Sequence, residues 1–297
     1  MLTESIYKVY NINIISYCAY SSYSFMVEIF NSAKKGHIMA NSSVFPIFDI
    51  EGRTFSKLIL GHNPFLGGSY MSQARSRVYK ETFTDPKAME RIIVKSIDMG
   101  VRGMMASIGD GFTELLKKAL LEAADKTGVL LPTIMIISQG FEDHVETYRE
   151  LNCQVMLVHG QITDALYIKA KQTMQPEFAD ILKRIRNEGF VPAMSTHNAG
   201  EVLPASESFD AVAVNTPINK IMWRMCPCEE MVLNAIRTTK KKVIAMKPLA
   251  MGRIAPQEGM DYVCRLPNVD GIVVGIGHEY EAEETFAAAQ DALGSRD

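Results

Sequence analysis

The sequence predicts an α/β fold: a (β/α)8 TIM barrel of about 240 residues, preceded by a poorly ordered N-terminal extension. Three observations carry this. From about residue 55 onward, short runs of Val, Ile, Leu and Met alternate with longer stretches of helical periodicity. Eight such pairs follow one another before the chain ends. The strand candidates are apolar almost throughout, as expected of parallel strands covered on both faces. No break in composition divides the pairs, which favours one closed barrel. An open doubly wound sheet is the runner-up. No GxGxxG follows the first strand, and Gly275-Ile276-Gly277 is too short for that fingerprint.

The first strand is expected at 55–60, ending at Gly61-His62-Asn63-Pro64, with a solvated loop carrying Arg75 and Arg77 after it. Asp85 as N-cap and Pro86 as first helical residue then open a helix that runs through Met99 and stops at Gly100. Strand 101–106 and helix 112–127 come next, and Gly128 ends that helix. Strand 131–137 leads to a helix at 142–151. Strand 154–158 ends at His159, and a longer connection reaches helix 176–188. Strand 191–194 ends at Ser195, before a short helix near 199–204. Strand 210–214 ends at Asn215 and precedes helix 228–239. Strand 242–246 ends at Lys247, with a helix near 256–265. Strand 270–274 ends at Gly275, and the last helix, 279–293, carries four Glu in its first turns, which suits the helix dipole.

Composition narrows the class. The chain has 297 residues, 47% hydrophobic and 22% charged, with a formal net charge of −3. That is too apolar and too weakly charged for disorder. It shows no basic excess for nucleic acid. Five sparse cysteines do not form a disulfide framework, so a reducing compartment, the cytoplasm, is expected. Cys226-Pro227-Cys228 lacks a second Cys pair and reads as a loop before a helix. Residues 1–45, of which 1–38 are rich in Tyr, Ser, Ile and Asn, are too interrupted for a signal peptide and too polar for a spanning helix. They are read as the extension, and 46–297 as the barrel. The expected partner is a small-molecule substrate, with neither nucleic acid nor membrane.

In such barrels chemistry sits at the C-terminal strand ends. The candidates there are His62, Asp110, His159, Ser195, His197, Asn215, Lys247, Gly275 and Gly277. His159 follows an uninterrupted apolar strand, and a neutral imidazole at a barrel mouth can polarise a carbonyl or relay a proton. His62, His159 and His197 together could also hold zinc, although no HxH pair or bridging carboxylate supports a metal. Lys247 could form a Schiff base or meet a phosphate as a point charge. Backbone N–H groups of the Gly275–Gly277 turn, next to a helix start, suit the phosphate reading.

Several segments resemble the aldo/keto reductase superfamily, NAD(P)-dependent (β/α)8 barrels. Val155-Met156-Leu157-Val158-His159 resembles the family's fourth strand with its histidine. Met194-Ser195-Thr196-His197 resembles the segment whose serine meets the nicotinamide carboxamide, and Val214-Asn215 the strand whose polar end shares it. Met246-Lys247-Pro248-Leu249-Ala250-Met251-Gly252 resembles its PLxxG stretch, and 269–277 its eighth strand and the start of its cofactor-phosphate region.

The resemblance implies NADP or NAD as cofactor, bound through Ser195, Asn215, Lys247, Gly275 and Gly277. It implies hydride transfer to a carbonyl, with His159 matching the family's histidine; Asp110 and His62, from neighbouring loops, complete the catalytic candidates. The chain departs from the family's Asp–Tyr–Lys–His tetrad. Met105 stands at the aspartate position, the tyrosine position falls near Asp110, and the lysine position falls near Ile137-Ser138. An oxidoreductase with an altered acid is therefore the leading expectation. A non-redox lyase, isomerase or hydrolase, or an inactive relative, is the alternative.

Overall fold

The computed structural model describes residues 45–294. The extension expected at 1–45 falls, but for its last residue, outside the described residues. Eight parallel strands close into a barrel: β3 (Leu58–Gly61), β4 (Met104–Ser107), β5 (Thr133–Ile137), β6 (Cys153–Val158), β9 (Val191–Ser195), β10 (Ala213–Pro217), β11 (Lys242–Met246) and β12 (Gly271–Gly275). They stand in chain order, and closure is made by β12 on β3, from Ile272 opposite Leu58 to Gly275 opposite Gly61.

The helices between them are the expected ones, with ends shifted by a few residues. They are α2 (Pro86–Asp98), α3 (Phe112–Thr127), α4 (Val145–Glu150), α6 (Pro176–Asn187), α7 (Ala199–Ala205), α8 (Glu229–Thr238), α9 (Pro256–Arg265) and α10 (Glu279–Gly294). The cap signals account for the clearest starts. Asp85 accepts the Lys87 N–H at 2.9 Å ahead of Pro86. Replacing Asp85 with Ala is expected to cost about 1 kcal/mol of stability in urea unfolding. A loss below the error of that measurement would show the cap to be idle.

Two features were not expected. First, 55–60 is not one strand. Ser56 ends a hairpin of β1 (Ile47–Ile50) and β2 (Arg53–Ser56), and the barrel strand starts at Leu58. Ser56 breaks the run by turning its hydroxyl onto the Leu58 carbonyl at 2.5 Å while its N–H donates to Arg102 O. Second, the segment after β3 is not a solvated loop but α1 (Gln73–Thr82), capped by Ser72, whose hydroxyl accepts the Arg75 N–H at 3.1 Å. Tyr79 is the one residue of α1 that is buried, so the hydrophobic periodicity used to find helices was too weak there. The long connection after β6 also holds structure, α5 (Gly160–Ala165) and the small hairpin β7 (Tyr167–Ile168) with β8 (Thr173–Met174).

The hairpin decides which end of the barrel is open. Alternate strand residues point inward, and Ile59, Met105, Ile134, Leu157, Ala193 and Ile244 are among those that form an interior cluster. Phe48, Ile50 and Phe55 of the hairpin belong to the same cluster, and Phe55 is fully buried. A Cβ on Gly271, the first residue of β12, would lie 2.8 Å from the Phe48 ring. A Cβ on Gly103, just ahead of β4, would lie 2.9 Å from Phe55. The hairpin thus seals the N-terminal end, and these glycines make room for its rings. Polar residues at the other end are free to face a ligand.

Candidate active site

Four neighbouring strands bring the site together. His159 follows β6, Ser195 ends β9 with His197 just beyond, Asn215 lies within β10, and Lys247 follows β11. Asn215 was expected beyond a strand end. The strand instead begins later and runs to Pro217, so Asn215 pairs in register with Ser195 and Ile244 inside the barrel. Lys247 Nζ lies 3.1 Å from His197 Nε2. Its backbone is left-handed, with φ 58°, an unusual conformation for a lysine and one that tends to mark functional positions.

The tautomers follow from the bonds. His159 Nδ1 accepts the Gln161 N–H at 3.2 Å, so a neutral His159 carries its proton on Nε2. His197 Nε2 faces the lysine ammonium, which places its proton on Nδ1. Gly160 leaves space for this ring, since a Cβ there would sit 3.3 Å from His197 Nδ1 and 3.5 Å from Ser195 Oγ. Asp164, which sequence reasoning missed, fixes the segment: it accepts the His197 backbone N–H at 3.1 Å and the Thr196 hydroxyl. Its only signal was a carboxylate five residues after His159.

Burial and charge tune this set. Burial, with the Arg224 charge added, pushes the Lys247 amine down to about 8. His197 falls to about 4, through burial first, then the charges of Lys247, Arg224 and His159. His159 is lowered by burial and by Lys247, against the pull of Asp164. At neutral pH the site therefore holds two neutral imidazoles and one ammonium close to its own titration point.

The other expected residues have different partners. His62 is buried, with Nε2 2.9 Å from Ser107 Oγ across β3 and β4. Burial drives it to about 4, opposed by a backbone bond with Met105. Its unfolded value is higher, so the unfolded chain binds the extra proton between about pH 6.5 and 4 and stability falls as pH drops through that window. The full effect is on the order of 3 kcal/mol. Urea unfolding at pH 7 and pH 4.5 is expected to show the loss, and His62→Gln to reduce it; an unchanged slope in the variant would assign the loss to other groups.

Asp110 is exposed in the turn before α3, and no bond joins it to His62 or His159. At the anion site expected at Gly275 and Gly277, the Gly277 N–H is taken from within the chain. Glu281 accepts the Gly277 N–H at 2.8 Å, and the Tyr79 ring occupies the space a Cβ of Gly277 would need. Arg75, expected in a loop, is on α1 and pairs with Glu281 and Tyr79 Oη. Among the described residues no group of three His, Cys, Asp or Glu could hold a metal ion, and no helix is long and apolar enough to cross a membrane.

No family model matches the sequence, and no curated protein matches it either. Solved structures do. A putative aldo-keto reductase from Pseudomonas aeruginosa superposes with TM-score 0.60 at 18% identity, covering 84% of this chain and 94% of that one. An aldo-keto reductase from Bombyx mori in complex with NADP gives TM-score 0.56 at 12% identity, covering 84% and 92%. One from Bacillus halodurans, in a holo form, gives 0.57 at 9%, covering 84% and 95%. This chain has the barrel fold of the aldo-keto reductases. In this barrel, Met105 is buried among the interior apolar residues, so no carboxylate stands at that point of β4. Lys247, just beyond β11, supplies a cation beside His197.

Proposed function

We propose that the protein is an aldo-keto reductase-type oxidoreductase that reduces a carbonyl group, with Lys247 in place of the usual acid. The observation that carries this is the 3.1 Å contact of Lys247 Nζ with His197 Nε2, in the same cluster as His159. The nicotinamide end of the site is chemically suited to a carboxamide. Ser195 Oγ donates to the Asn215 carbonyl at 3.1 Å, and Asn215 Nδ2 donates to the Ile244 carbonyl at 3.1 Å. Ser195 thus spends its one donor and Asn215 one of its two on the barrel, and both keep oxygens that accept, which is what an amide NH2 needs. The Gly275–Gly277 turn does not suit a phosphate, because Glu281 already holds it. A nicotinamide bound here supplies the hydride; the residues of this chain supply orientation and the proton.

His159 donates its Nε2–H to the carbonyl oxygen and polarises it. The Lys247 ammonium gives the proton as negative charge develops there, and His197 holds the amine in place through its Nε2 lone pair. An acid with a pKa near the working pH suits general-acid catalysis. Asp164 keeps His197 oriented through the backbone.

The test is direct. NADH and NADPH are titrated into the protein by calorimetry, then each is offered with a panel of aldehydes and 2-oxo compounds. Binding of one cofactor and its carbonyl-dependent oxidation are expected. Absence of binding by both would remove the redox reading and leave acid–base chemistry without hydride transfer at the same three residues.

A further inference from the structure

One structure at the mouth has no part in the proton chemistry. The connection after β10 carries Trp223 between Met222 (φ 58°) and Arg224 (φ 60°), both in left-handed backbone. A fully buried side chain fixes this turn: Asn219 Oδ1 accepts the Trp223 N–H at 2.8 Å, and its Nδ2 donates to the Trp223 carbonyl at 2.9 Å. The main chain that carries the indole is therefore held in place. Two guanidiniums rest on it, Arg253 at 4.7 Å and Arg224 at 5.1 Å from the ring centroid. Tyr70, from the connection after β3, meets the indole edge-on at 6.1 Å and also lies under Arg224. Three separate strand-end connections thus converge on two cations.

Neither cation is neutralised. Ion pairs are common elsewhere on this chain, yet Arg224 and Arg253 have no carboxylate partner among the described residues. Arg253 uses one N–H on the Ala250 carbonyl at 3.1 Å. The charge of Arg224 reaches Lys247 and His197, and Arg253 lies on the same connection after β11 that begins at Lys247. Holding like charges together is unfavourable, and stacking on aromatic rings offsets only part of that. An anion bridging the two forks relieves the repulsion and forms charge-assisted bonds to both.

We infer that Arg224 and Arg253, set on Trp223 beside Lys247, form an anion clamp, so the substrate is a small carbonyl compound that also carries a carboxylate or phosphate. The carbonyl part rests on the reading given under Proposed function; the anion part does not. The clamp also couples binding to chemistry. An anion beside Arg224 offsets the Arg224 share of the depression of the Lys247 amine, whose larger cause is burial, and so favours the ammonium that gives the proton.

Trp223 is the single tryptophan of the chain, so its emission reports on this site without a label. The full chain is titrated with pyruvate and acetone, and with glyceraldehyde 3-phosphate and glyceraldehyde, followed by tryptophan emission and calorimetry. At least one anionic compound is expected to bind saturably, and its neutral partner at least about tenfold more weakly, the scale of one charged hydrogen bond. Pyruvate alone assigns the clamp to carboxylates, and glyceraldehyde 3-phosphate alone to phosphates. Arg224→Gln is expected to weaken binding about tenfold, and Arg224→Gln with Arg253→Gln to abolish it while the circular dichroism stays that of the wild type.

The inference is overturned if neutral and anionic partners bind alike, if no compound binds, or if the folded double variant binds as the wild type does. Anion binding without cofactor-dependent turnover overturns the proposed reaction and leaves the clamp. Turnover of neutral carbonyl compounds with no preference for anions does the reverse.

Discussion

Lys247→Met is expected to lower kcat/KM for carbonyl reduction by about 10^2 to 10^4, the usual range for loss of a positioned general acid. In the wild type the reactive form is the ammonium. Its amine is held at about 8, so kcat/KM should fall as pH rises through that value. The variant should lose that limb of the profile. Lys247→Arg keeps a cation beside His197 but cannot give up a proton in this range, so it should also lose the limb and most of the rate.

A second readout is independent of turnover. Lys247 is one of the charges that depress His197, so its removal should raise the His197 value from about 4 towards the ordinary imidazole range, visible in an NMR titration. Full activity in Lys247→Met, or a flat wild-type profile to pH 10, would rule out the assigned acid.

Phe55→Ala is expected to destabilise the protein by about 3–5 kcal/mol. The ring is fully buried, and it anchors the hairpin in the interior cluster. No neighbouring ring can close the gap: Phe48 lies 5.9 Å away by centroid and is already packed on Gly271. For a domain of this size the loss corresponds to a fall in Tm of about 10 °C. The plug is at the end away from Lys247, so the folded variant should keep its cofactor and substrate affinities. A loss under about 1 kcal/mol in urea unfolding would show that the hairpin is not a structural seal.

The alternation of apolar runs with periodic stretches was enough to place all eight barrel strands and most of the helices between them, because each strand is covered on both faces and reads as a continuous apolar run. The features that escaped have weak patterns for physical reasons. The hairpin β1–β2 is four residues a side, and only Phe48, Ile50, Phe55 and Ser56 within it are buried. Helix α1 offers the core a single buried side chain.

Among the site residues, His159, Ser195, Asn215 and Lys247 were legible because each sits at or near the end of an apolar run. His62, equally prominent in sequence, is instead sealed against Ser107. Asp164, Arg224 and Arg253 lie in connections with no periodicity, where nothing in the order of residues indicates which side chain reaches back over the mouth.

The sequence by itself determined the barrel, its strand order and the end at which polar residues gather, because those follow from local patterns repeated eight times. Only the tertiary structure decided which of those residues lie together. Closure set β9, β10 and β11 side by side and so joined Lys247 to His197, residues fifty positions apart, at hydrogen-bonding distance. It also turned Glu281 onto Gly277 and left Arg224 and Arg253 without a carboxylate partner among the described residues. Pairings of that kind depend on where side chains meet in space, and a charge is tuned by its burial and neighbours, neither of which a linear pattern contains.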